Sequence, residues 1–241
     1  MEYLFIILFC IFAIAVLYII TNVKMKQIKQ MAENEELDEL AKTFPDNIEI
    51  CQNILEKLGN TKTKIKQNPE EKTTSLYLIF NDTIQIGSIQ NTYTRIQTIA
   101  HECLHAVQDK RMLWFNFIYS NLYYLYFIIL SIITIINAVW GNADSSPNYL
   151  IHITILALSG FIYYMIRSFL EMDAMTKARY LAKEYMETKS ITNQENIDKI
   201  IAGYDQLNDL GIKLTNLVLF SNCIIKVILY SIIVLMINII K

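Results

Sequence analysis

Four long apolar runs restrict what this chain can fold into more than any other feature of it. They are Tyr3 to Ile20, Phe117 to Trp140, Tyr149 to Ile166, and Leu217 to Ile240, the last interrupted by Lys226. Each approaches the roughly 20 residues that a helix needs to cross a hydrocarbon core. Within lipid a segment must satisfy its own backbone amides, so these runs are expected as helices. Apolar residues make up 54% of the chain and mean hydropathy is +0.31, above the about 45–50% apolar content of soluble domains. Four spans are expected, or three if the second pair of runs is a re-entrant hairpin. Lys226 can snorkel or face its helical neighbours.

The first run reads as a retained anchor. Glu2 stands where a signal peptide carries a basic region, no small-residue cleavage site follows, and Lys24, Lys26 and Lys29 flank the run instead. By the positive-inside bias those lysines belong to the cytoplasm, as do Lys110, Arg111, Arg167, Lys177, Arg179 and Lys183. The link from Gly141 to Asn148 carries no Lys or Arg and reads as an external loop. The expected organisation is an anchor over 1–20 and a cytoplasmic block over 21–116. Two spans with a short external loop follow over 117–166. A second cytoplasmic block covers 167–216, and a last span 217–241.

In the first block, Ala32 to Lys42 and Asn47 to Leu58 read as helices, the second closed by Gly59. Thr61 to Ile65 alternates weakly, Asn68 to Glu71 reads as a turn, and Leu76 to Phe80 with Thr83 to Ile86 fits a hairpin around Asn81-Asp82. From Thr92 the pattern is helical, with Ile96, Ile99, Ala100, Cys103, Leu104 and Val107 at helical spacing, and it runs on towards Trp114. In the second block a helix is expected over Ser168 to Glu187. Another should open at Thr192 to Glu195 and break at Gly211. Cys10, Cys51, Cys103 and Cys223 show no paired spacing, and no disulfide is expected. With a net charge of -2 and no interleaving of basic and aromatic residues, nucleic acid is not an expected partner.

Into this frame falls an uninterrupted HExxH, His101-Glu102-Cys103-Leu104-His105. On a helix its two imidazoles lie one turn apart and can grip one Zn²⁺. Glu102, beside the first, can then take a proton from an attacking water. Cys103, two residues past His101, points off that face and reads as a small buried residue. Catalytic zinc needs a third protein ligand. The one remaining histidine, His152, lies towards the outer end of a span. Glu171 follows the third span on the same membrane side as the motif and is the favoured ligand. Asp173 reads as an acceptor that orients an imidazole N–H.

The stretch Arg95 to Asp109, RIQTIAHECLHAVQD, resembles the active-site helix of the neutral zinc metallopeptidases typified by bacterial YugP membrane proteins, where a small residue precedes HExxHAxQ. The family's later glutamate signature is matched by Glu171-Met172-Asp173-Ala174, with Ala178 at a further small position. The segment ending at Ile86-Gly87 corresponds to the strand before the active-site helix. The chain departs from the family at Leu104, where glycine is usual, at Met172, where an aromatic is usual, and in having few Gly and Pro between Asn60 and Asn81.

The fold expected is mainly α: a multi-span helical membrane protein with a small cytoplasmic zincin-like α+β part. The resemblance implies a bacterial multi-pass protein of the cell membrane, a zinc metallopeptidase with its site on the cytoplasmic side. His101, His105 and Glu171 would be ligands, Glu102 the base, and a peptide or membrane-protein segment the substrate. Two rivals remain: an intramembrane protease of the site-2 type, and a non-catalytic membrane scaffold with a structural or relic metal site.

Overall fold

In the computed structural model, residues 1–68, 75–89, 91–140 and 148–240 are described. The expected turn at Pro69 to Glu71 and the external loop at 141–147 lie outside them. Among these described residues, eight helices and three strands follow in the order α1 (Glu2–Thr21), α2 (Met25–Ala32), α3 (Glu35–Ala41), α4 (Asn47–Lys57), β1 (Lys64–Gln67), β2 (Leu76–Leu78), β3 (Thr83–Ile86), α5 (Arg95–Val107), α6 (Lys110–Trp140), α7 (Tyr149–Thr188) and α8 (Gln194–Ile240). Four of them, α1, α6, α7 and α8, are long and apolar enough to cross a membrane. The protein is a multi-pass, mainly helical membrane protein with a small mixed α/β part.

The chain divides into two compact units, and α6, α7 and α8 contribute to both. The first contains residues 1–23, 115–169 and 214–241. Tyr123, Leu130, Ile153, Leu156, Tyr230 and Val234 are at the centre of its core. Phe5, Phe9 and Phe12 of α1 are more than half exposed, an arrangement that only a lipid surround makes favourable. Some polar side chains pair inside the bundle: Tyr230 and Thr134 share a hydrogen bond of 3.0 Å, and Tyr119 donates to the Ser159 carbonyl at 3.2 Å. Lys226 donates to the Asn222 carbonyl at 3.2 Å and stands 5.4 Å above the Tyr123 ring.

Gly160 permits a close approach in this unit. A Cβ there would lie 2.6 Å from the Tyr123 hydroxyl and 3.2 Å from Cys223 Cβ, and Tyr123 is held by a stacked Tyr163 ring. In packed interiors such overfilling costs about 1–3 kcal/mol. Gly160→Val is therefore expected to lower the melting temperature of detergent-purified protein by several degrees. A midpoint equal to the parent's would refute this packing.

The second unit contains residues 24–114 and 170–213. Its sheet has the order β1-β3-β2, with β1 parallel and β2 antiparallel to β3; Ile65 faces Ile84 in one pair and Tyr77 faces Ile84 in the other. Ile84 and Ile86 are fully buried, as are Ile50 and Ile54 of α4 and Ile96 and Ile99 of α5. The loop ahead of α5 is pinned through Tyr93, whose N–H donates to Asp38 and whose hydroxyl donates to the Met31 carbonyl, each at 2.8 Å. Tyr204 of α8 stacks on the Tyr93 ring and donates to the Tyr93 carbonyl at 2.7 Å.

Three expected boundaries are corrected. The motif helix does not run on to Trp114: α5 ends at Val107, Gln108 turns to extended backbone, and Asp109 opens α6 by accepting the N–H groups of Arg111 and Met112 at 2.7 and 3.2 Å. The third span and the helix after it are one helix, α7, because no Gly or Pro interrupts the chain from Phe161 to Thr188. Gly211 does not break α8. A Cβ there would come within 2.9 Å of the Met175 methyl, so glycine serves close approach within a continuous helix.

Candidate metal centre

Helix α5 turns Ile96, Ile99, Ala100 and Cys103 into the core of its unit. That choice of face leaves the next one, carrying His101 and His105, directed elsewhere. Glu171, near the start of the part of α7 that belongs to this unit, meets them there. His101 Nε2 lies 3.1 Å from His105 Nε2 and 3.4 Å from Glu171 Oε2, and His105 Nε2 lies 3.7 Å from that same oxygen. Ligand atoms about 2.0–2.2 Å from a tetrahedral Zn²⁺ lie about 3.3–3.6 Å apart, so the three atoms match the size of one tetrahedral face. The two histidines and Glu171 can hold a metal ion, and they are the group among the described residues that can. Their side chains are largely buried, between 10% and 20% exposed.

Two further contacts shape the site. His105 Nδ1 lies 2.8 Å from Gln108 Oε1, and Gln108 Nε2 donates to the Leu170 carbonyl at 2.8 Å and to Asp173 Oδ2 at 3.2 Å. Glu102 is 6% exposed, and its Oε2 accepts the backbone N–H of Tyr77 at 2.6 Å. Burial pushes the Glu102 carboxyl above the usual carboxylate range, against the pull of His101, His105 and that N–H. For His105, burial disfavours the charged ring, yet the Glu171 carboxylate outweighs it and raises the pKa. Tyr77 is itself anchored: its hydroxyl donates to Asp82 at 2.7 Å, and Lys110 reaches the same carboxylate at 3.0 Å.

No known protein family, no curated protein and no solved structure matches this chain. The site therefore rests on its own geometry.

Of the residues singled out in the sequence, His101, His105 and Glu171 are brought together, with Glu102 buried beside them. His152 belongs to the other unit and is not in the cluster. Cys103 is fully buried, its sulfur 3.6 Å from that of Cys51, with both thiols free. Asp173 does not reach an imidazole directly; Gln108 stands between them, and the other Asp173 oxygen pairs with Lys177. Gln108 could have been found as the fourth residue of a turn that starts at His105. Tyr77 could not, because it acts through a backbone N–H that any residue but proline supplies.

Proposed function

We propose that the protein is a zinc-dependent endopeptidase of the YugP-like kind, with its site on the cytoplasmic side of a bacterial cell membrane. The observation that carries this reading is the triangle of His101, His105 and Glu171 with the Glu102 carboxylate buried beside it. His101, His105 and Glu171 would hold the ion. Zinc at such a site supplies Lewis acidity, polarising the attacking water and the peptide carbonyl. Glu102 takes the proton of the attacking water and returns it to the leaving amine. Its burial raises its proton affinity above that of an ordinary carboxylate, the direction a general base needs. Tyr77, through its N–H, fixes one carboxylate oxygen and so limits where the other can point.

Substrates of the proposed enzyme are polypeptide segments in the cytoplasm or next to the membrane. Helix α5 is not one of the four helices apolar enough to span a bilayer, which favours this reading over intramembrane cleavage. The test uses full-length protein in detergent, analysed for zinc and incubated with an unstructured polypeptide. About one zinc per chain is expected, with new peptide N-termini that vanish on chelation and return with Zn²⁺. A zinc-loaded protein that cleaves neither this polypeptide nor co-reconstituted membrane proteins would overturn the proposal.

A further inference from the structure

The side chain of Gln108 is oriented by its neighbours. Its Nε2 lies within hydrogen-bond distance of a carbonyl oxygen, that of Leu170, and of a carboxylate oxygen of Asp173. Neither can donate, so the amide nitrogen must face them, and the amide oxygen must face His105. An amide oxygen can only accept. His105 Nδ1 therefore carries the hydrogen, and the lone pair is left on Nε2, the atom that faces His101 Nε2 and Glu171 Oε2.

The place of Gln108 in the helix does not account for these bonds. As the residue that ends α5, it satisfies the cap through its backbone N–H, which reaches the Leu104 and His105 carbonyls at 3.0 and 3.3 Å. The side chain is not needed for that. Instead it spans from one ligand's ring to the two residues, Leu170 and Asp173, that bracket the third ligand on α7.

We propose that Gln108 is the positioning residue of the metal centre. It fixes the tautomer of His105 by accepting from Nδ1, and it holds α5 and α7 at the separation that brings Glu171 to the two imidazoles. The inference rests on the metal-site reading above and does not require that the protein hydrolyse anything. Partners of this kind are worth about 10–100-fold in metal affinity.

The experiment is competition for Zn²⁺ against a chromophoric chelator, with Co²⁺ absorption as a second probe, on full-length detergent-purified protein. Gln108→Leu removes both ends of the bridge, and its zinc affinity is expected to fall 10–100-fold. Gln108→Glu keeps an acceptor for His105 Nδ1 but loses the donor towards α7. It should bind zinc within about tenfold of the parent, with the tetrahedral Co²⁺ bands retained and shifted. Parent-like affinity in Gln108→Leu would overturn the proposal. So would a loss in Gln108→Glu as large as in Gln108→Leu, because the tether alone would then explain the effect. If Gln108→Leu does not yield folded protein, Gln108→Glu is compared with the parent, and a loss of affinity beyond about tenfold would overturn the proposal. A parent that takes up no zinc would overturn the metal-site reading itself, an outcome distinct from either of these.

Discussion

Glu102→Gln is expected to retain about one zinc per chain while hydrolysis falls by about 10²–10⁴-fold, the range that a positioned general base supplies. The substitution is close to isosteric, and an amide oxygen can still accept the Tyr77 N–H that now reaches Glu102 at 2.6 Å. The ligands are untouched, so what is removed is proton acceptance alone. Zinc analysis and cleavage rate measured on the same preparation check this. A variant that keeps a tenth or more of the parent rate would show that another group takes the proton. A parent as inactive as the variant, both zinc-loaded, would favour a scaffold, which needs ligands but no base.

The second large effect concerns folding. Arg95, 3% exposed, donates to the Asn47 side chain at 3.0 Å and to the Ala41 carbonyl at 2.8 Å, with its guanidinium 5.5 Å from the Phe44 ring centre. It thereby joins the end of α3 and the start of α4 to the first turn of the motif helix. Arg95→Met fills much of the volume but strands two buried acceptors, each worth about 1–3 kcal/mol. A loss of about 2–5 kcal/mol is a large part of the 5–15 kcal/mol that stabilises a typical domain. The thermal midpoint of zinc release should drop by 5 °C or more, with Arg95→Lys intermediate because one ammonium can serve one acceptor. An unchanged midpoint in Arg95→Met would contradict the structural role assigned here.

Arg95 also illustrates what the sequence conceals. As text it is a charge flanking a motif, which suggests solvent, yet the chain buries it as a tie between helices. The four apolar runs and the position of HExxH on a helix were legible, because hydrophobic length and periodicity are local properties. Glu171 was expected from its place just after the third span and from the resemblance, and it does lie with the two histidines. Helix limits were less so. Asp109 reads equally well as a surface acid or as a cap, and Gly211 as a break or as a close contact; only packing against Met175 decides the latter. The parallel pairing of β1 with β3 depends on partners far along the chain, and four-residue strands carry too little pattern to announce them.

The order of the ligands along the chain has a consequence for biogenesis. His101 and His105 are synthesised before α6, and Glu171 only after the apolar part of α7, so the chain passes through two membrane-spanning segments between the second ligand and the third. A nascent chain that has exposed its HExxH therefore has the two imidazoles but not yet Glu171, the third member of the cluster. Capture of a metal by all three residues would wait until both segments have been made, and the ion would then tie together parts of the chain that lie on either side of them in sequence, as a cross-link would. In the proposed enzyme, hydrolytic competence would thereby be timed to membrane assembly, sparing the ribosome's surroundings an active peptidase.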